Sequence, residues 1–292
     1  MRPSPAMPAP VHVIGASGRS GRALCTALLG AEIAYVPLVR DVARWQATGL
    51  PGVARRLDLT DPAPCVASAL HDARRIVSTA HARHVGAIVA AAPPGASLVC
   101  LGSTRMFTRW PDAHGMGVEQ GQQALLSSGR DGVMLHPTMI YGAQGENNIR
   151  RLLGLIRRLP VLPLPAGGRA LVQPIFQDDV TRAIMAALAR EWQGGHALVI
   201  AGGEAVAYRD LAALVAHHAG LRQRPVLDVP ASVLMAACRV TAHLPGLPRV
   251  TPAEIRRLTE DKAFDIAPMR AALGFTPRTP DDGLRQFLGA LR

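Results

Sequence analysis

A chain of 292 residues with 49% hydrophobic and 18% charged residues can bury a sizeable core, as one large α/β domain or a domain with a smaller lobe. The net charge of +11 is almost all arginine, since Lys262 is the only lysine; the arginines are scattered and aromatic residues reach only 4%, which argues against a nucleic-acid surface with its stacking platforms. Four cysteines (Cys25, Cys65, Cys100, Cys238) show neither paired nor metal-type spacing and are expected as small buried residues of a reducing compartment.

The opening "MRPSPAMPAP" lacks the apolar core of a signal peptide and reads as a disordered tail over residues 1–10. No apolar run reaches the roughly 18 residues of a membrane span; the longest candidate, from Ala231, stops at Arg239. A cytoplasmic protein is the expectation. Strands are expected at "VHVIG" from Val11, "AYVPLV" from Ala34, "VARRLDL" from Val53, "RIVSTA" from Arg75, "SLVCLGS" from Ser97 and "GVMLHPTMIYG" from Gly132. Ala- and Leu-rich helical stretches lie between most of them. Such alternation predicts an α/β fold, a Rossmann-type doubly wound parallel sheet, over residues 11–148.

Beyond Asn148 the texture changes, and residues 149–292 read as late sheet elements interleaved with a small, mostly helical C-terminal lobe. "NNIRRLLGLIRRLPVLPLP" is a basic amphipathic helix closed by prolines, which either packs its apolar face on the core or meets a membrane surface or an acidic partner. "QDDVTRAIMAALA" is a helix with Asp178 or Asp179 as its N-cap. "HALVIAG" is a further strand, and "YRDLAALVAHHAG" a helix ending at Gly220. His81 and His84, or His217 and His218, form no credible metal set.

The informative stretch is "VHVIGASGRSGRAL", where Gly15, Gly18 and Gly21 follow a strand and open a helix. The first glycine permits the tight turn, the second lets backbone approach a phosphate, and the third packs helix on sheet. The helix N-terminus then offers N–H donors to a pyrophosphate. With Ser17 and Ser20, these residues form the expected dinucleotide cradle. An acid at the end of the next strand would bind the ribose of NAD, but the strand here ends "PLVRD". Arg40 in that position, with Arg19 inside the turn, suits a 2′-phosphate, so NADP is preferred; Asp41 keeps NAD as the alternative.

Taken together, the motifs over residues 11–290 resemble the extended and atypical short-chain dehydrogenase/reductase superfamily, in the style of NAD-dependent epimerase/dehydratase, NmrA-like and respiratory complex I accessory-subunit members. The carriers are "VIGASGRSG", "LDLTDP", "VSTAHA", "CLGST", "HPTMIYG", "QPIFQDDV" and "ALGFTPRTPDDGL". The resemblance implies that Asp58 and Leu59 meet the adenine, Ala80 and His81 line the cofactor, and Pro137 lies by the nicotinamide. It also implies that Ser103 is the Ser of the catalytic set.

The family's Tyr-x-x-x-Lys dyad is missing, because none of Tyr35, Tyr141 and Tyr208 stands four residues before Lys262. Aligned with the family's helix, the glycine-rich loop "AHGMGVEQGQQAL" places His114 at the Tyr position and Val118 at the Lys position. Ser103 and His114 could then polarise a carbonyl, with Tyr141 as a reserve acid; the alternative is a degenerate site. Nucleotide-sugar epimerases usually carry an Arg a few residues before the late Asp pair, whereas Arg169 lies further upstream here. The expectation is an NADP-preferring oxidoreductase or epimerase-like enzyme acting on a small molecule. The alternative is a non-catalytic dinucleotide-binding sensor, assembly factor or complex subunit.

Overall fold

The computed structural model describes residues 9–142, 148–241 and 250–290. Most of the N-terminal tail therefore lies outside the described residues. Six strands follow in order: β1 (Val11–Ile14), β2 (Tyr35–Val39), β3 (Arg55–Arg56), β4 (Arg75–Ser78), β5 (Ser97–Leu101) and β6 (Gly132–Pro137). Together with the strand Gly195–Ile200 they form one seven-stranded sheet in the order Gly195–Ile200, β6, β5, β4, β1, β2, β3. Every pairing from β3 to β6 is parallel. Strands β1 and β6 are buried along their whole length, which is why they read as continuous apolar runs rather than alternating ones. The sheet reverses its winding between β1 and β4, and doubly wound sheets bind ligands at the carboxyl ends of the strands on either side of that point.

The helices are α1 (Arg19–Gly30), α2 (Val42–Gln46), α3 (Ala63–Leu70), α4 (Val85–Ala91), α5 (Ala113–Leu126), α6 (Asn148–Arg158), α7 (Gln177–Ala189), α8 (Tyr208–His218), α9 (Ala231–Thr241), α10 (Pro252–Arg257), α11 (Ala267–Leu273) and α12 (Pro280–Gly289). The chain forms two compact units. The first runs to Met106 and adds Ala113–His136 and Thr181–Leu198; the second holds Phe107–Asp112, Pro137–Val180 and the chain from Val199 onward. In the first unit Leu38, Leu70, Ile76, Ile88, Leu98 and Leu125 form the core. In the second, Leu152, Ile156, Phe176, Leu211, Val215 and Leu284 do so.

Several local expectations change. The third strand shrinks to Arg55–Arg56. The "GVMLHPTMIYG" run breaks after Pro137, and Ile140–Tyr141 pairs instead with Ile175–Phe176. The segment around His114 is a helix of 14 residues rather than a loop. Its glycines serve contact: a side chain at Gly121 would collide with the Ala82 carbonyl, and one at Gly115 would come within 3.0 Å of the Arg105 carbonyl. Close backbone packing offsets the helix-propensity cost of about 1 kcal/mol per glycine. Asp178 and Asp179 lie inside the first turn of α7, which starts at Gln177, so neither is the N-cap. Helix α6 buries Ile149, Leu152, Leu153 and Ile156 in the second unit, and Arg151 pairs with Glu254 at 2.6 Å, so its apolar face is not turned to a membrane or partner. Cys25 and Cys100 are buried, but Cys65 is exposed and Cys238 only half-buried.

Candidate functional site

The glycine turn is a cradle that only glycine can build. Gly15 has a φ of 78°, in the left-handed region, and a side chain there would come within 2.9 Å of Thr79 Oγ1. A side chain at Gly21 would collide with the Gly15 carbonyl, and one at Gly18 would sit 3.1 Å from the same oxygen. The turn closes on a hydrogen bond from Gly18 N–H to the Gly15 carbonyl at 2.8 Å. Thr79, just past β4, secures it, its hydroxyl donating to the Ile14 carbonyl at 3.0 Å. Helix α1 then starts from Gly18 with no side-chain cap and no acid in its first turn. An anion suits such a terminus, because the helix dipole and the first-turn N–H groups both favour negative charge there. The geometry therefore fits a pyrophosphate at the switch point, with Ser17 and Ser20 in the same turn.

Arg19 and Arg40 are both exposed. Arg40 follows β2 directly, and its charge helps to hold the Asp58 carboxyl below its usual range. The main cause of that depression is Thr60, whose backbone N–H and hydroxyl donate to Asp58 Oδ1 at 3.0 and 2.7 Å. Asp41, the residue that speaks for NAD, caps α2 by accepting from Arg44 N–H at 3.1 Å. Leu59 and Ala80 are half-buried and pack against the first unit's core.

Ser103 lies just past β5. Its backbone N–H donates to His136 Nδ1 at 3.3 Å, and its hydroxyl oxygen accepts from Arg105 N–H at 3.2 Å. His136, on β6, is 1% exposed, and burial pushes its pKa down to about 4, so it is neutral. Its Nε2 meets Gln122 Oε1, on α5, at 2.7 Å. With Nδ1 accepting, the ring proton resides on Nε2 and is donated to Gln122. Gly102 makes this possible, since any side chain there would collide with the His136 ring. Neither His136 nor Gln122 was among the sequence candidates; the signal was a histidine inside an otherwise apolar strand.

His114 occupies the first turn of α5, and Val118, one turn on, is 1% exposed in the core. No cation can replace Val118 without a buried charge. His114 Nδ1 lies 2.9 Å from His81 Nε2, with the rings edge to face and 4.3 Å between centroids. Helix α5 reaches the Arg105 backbone at Gly115, so His114 and Ser103 flank the same short turn. The remaining candidates belong to the second unit. Pro137 ends β6 and is buried. Tyr141 is 1% exposed beside Phe176, and burial raises its pKa, which makes its hydroxyl a poor acid. In that unit Lys262 pairs with the buried Glu260 at 2.6 Å, and Asp179 with Arg278 at 2.9 Å. Among the described residues no group of three or more metal-ligating side chains gathers, and no helix is long and apolar enough to cross a membrane.

No family model matches the chain, and no curated protein does. Solved structures do. An NADPH-dependent quinone oxidoreductase from Escherichia coli, complexed with NADPH, superposes with a TM-score of 0.73 at 17% identity, covering 94% of this chain and 99% of that one. A UDP-glucuronic acid 4-epimerase from Bacillus cereus, in complex with UDP-glucuronic acid and NAD, gives 0.71 at 16% identity over 97% and 100%. A nucleoside-diphosphate-sugar epimerase from Staphylococcus aureus gives 0.71 at 17% identity over 95% and 100%. The chain shares the Rossmann-type α/β fold of these solved structures, the fold that its motifs implied.

Proposed function

We propose that the chain is an NAD(P)-binding oxidoreductase or epimerase-like enzyme that prefers NADP and works without a Tyr-Lys dyad. The observation that carries the cofactor is the glycine-only cradle closing on an uncapped helix start at the sheet's switch point. Gly15, Gly18 and Gly21, with Ser17 and Ser20, hold the pyrophosphate. Arg19 and Arg40 bind the 2′-phosphate by charge-assisted hydrogen bonds. Asp58 and Leu59 border the adenine, and Ala80 and His81 line the cofactor's path. The solved neighbours named for NADPH and for NAD support a nicotinamide dinucleotide.

The nicotinamide, when bound, supplies or accepts the hydride. Reduction of a carbonyl puts hydride on carbon and a proton, drawn ultimately from water, on oxygen. The Ser103 hydroxyl accepts from Arg105 N–H and keeps its own proton to donate. Together with the His114 imidazole it polarises the substrate oxygen, stabilising the charge that develops there. Tyr141 takes no part, given its burial. A second reading is a non-catalytic dinucleotide-binding sensor, assembly factor or complex subunit. The burial of Val118 and the engagement of Lys262 by Glu260 favour it.

Calorimetric titration with NADPH and NADH side by side tests the cofactor. Binding of NADPH below millimolar concentration, tighter than NADH, is expected; no binding of either overturns the reading, and tighter NADH overturns the roles of Arg19 and Arg40. NADPH oxidation across a panel of carbonyl compounds separates the two readings. In a turnover assay, Ser103→Ala should lower kcat about a hundredfold with cofactor affinity retained.

A further inference from the structure

The two histidines His81 and His114 are 33 positions apart in sequence and form one hydrogen-bonded pair. We infer that His81 is a positioning residue that holds His114 in a single tautomer, with Nδ1 unprotonated and the proton on Nε2. This rests on the reading above, in which His114 polarises a carbonyl.

His81 caps a short helical turn, its Nδ1 accepting the backbone N–H of Arg83 at 3.1 Å. Nδ1 therefore carries a lone pair, and a neutral ring keeps its one proton on Nε2. That nitrogen is 2.9 Å from His114 Nδ1, a distance that admits one proton between them. His81 thus donates, His114 Nδ1 accepts, and the proton of His114 belongs on Nε2. Gly117 keeps the arrangement open, because a side chain there would come within 3.1 Å of both His81 Cε1 and Arg83 Cβ.

The His81 ring is neutral at physiological pH. Desolvation pushes its pKa down to about 4, and the charges of Arg83 and Arg105 push in the same direction. Protonating His114 at Nδ1 would set two N–H groups face to face. In this tautomer the His114 proton available for donation is on Nε2.

Long-range proton–nitrogen correlation spectra of the isotopically labelled full chain report which ring nitrogens carry protons, without reference to activity. At neutral pH, His114 should show an unprotonated Nδ1 and a protonated Nε2. His81→Leu should release that preference, while His81→Gln, whose amide can donate from a similar position, should retain it. A protonated His114 Nδ1 in the wild-type protein, or unchanged His114 signals in His81→Leu, overturns the inference. In turnover, His81→Leu should lower kcat about tenfold, and His81→Gln should recover most of the loss. A kcat unchanged in His81→Leu overturns the positioning role. If the tautomer is as stated but His114→Ala turns over normally, the fault lies with the proposed function and not with the pairing.

Discussion

Acidification should weaken the fold through His136, and the size of the effect follows from the structure. The ring is 1% exposed, and burial pushes its pKa from 6.5 to about 4. In the unfolded chain it titrates at its ordinary value. Between the two values the unfolded state binds a proton that the folded state refuses, so stability is full above about pH 6.5 and declines toward pH 4. At 1.36 kcal/mol per pKa unit, moving from about pH 7.5 to about pH 5 costs roughly 2 kcal/mol from this one residue. That is a large fraction of a typical domain's stability. The assay is urea unfolding at both pH values for the wild-type protein and His136→Asn. The variant is expected to be weaker throughout, since it loses the Gln122 bond, but asparagine does not titrate. Its stability should fall by roughly 2 kcal/mol less over the same interval. Equal losses for the two proteins would refute a buried neutral imidazole beneath Ser103.

Further outcomes follow from the same geometry. Gly21→Ala should abolish measurable NADPH binding in calorimetry, because its side chain would collide with the Gly15 carbonyl that closes the cradle. Arg40→Ala should weaken NADPH by about tenfold, or roughly 1.4 kcal/mol, and NADH by much less. Equal losses for both nucleotides would remove Arg40 from the 2′-phosphate. Gly102→Ala should displace His136 and lower kcat more than KM, since Ser103 loses the acceptor of its N–H. Arg278→Ala should cost about 3 kcal/mol in urea unfolding, because Asp179 is 0% exposed and would lose the guanidinium that neutralises it.

The sheet and the cradle were legible because their causes are local. A strand buried on both faces reads as an apolar run, and a turn that must bring backbone against backbone reads as glycine at Gly15, Gly18 and Gly21. The loss of the Tyr-Lys dyad was equally plain, as Lys262 has no tyrosine four residues before it. Local causes misled where packing decided instead. The glycines of α5 read as a loop, but they let the helix lie directly on the backbone around Ala82 and Arg105. Adjacent Asp178 and Asp179 read as a cap, but Asp179 is committed to Arg278, 99 positions away.

By itself the sequence determined that this chain builds a parallel sheet with a glycine cradle at its first turn, and that it has no lysine for the usual dyad. Only the tertiary structure decided which histidines matter. The Ser103–His136 and His81–His114 bonds each span 33 positions, and no spacing rule connects their partners. They meet because parallel neighbours β5 and β6 bring Ser103 to His136, and because α5, stripped of side chains at Gly115, Gly117 and Gly121, can press close enough for His114 to reach His81.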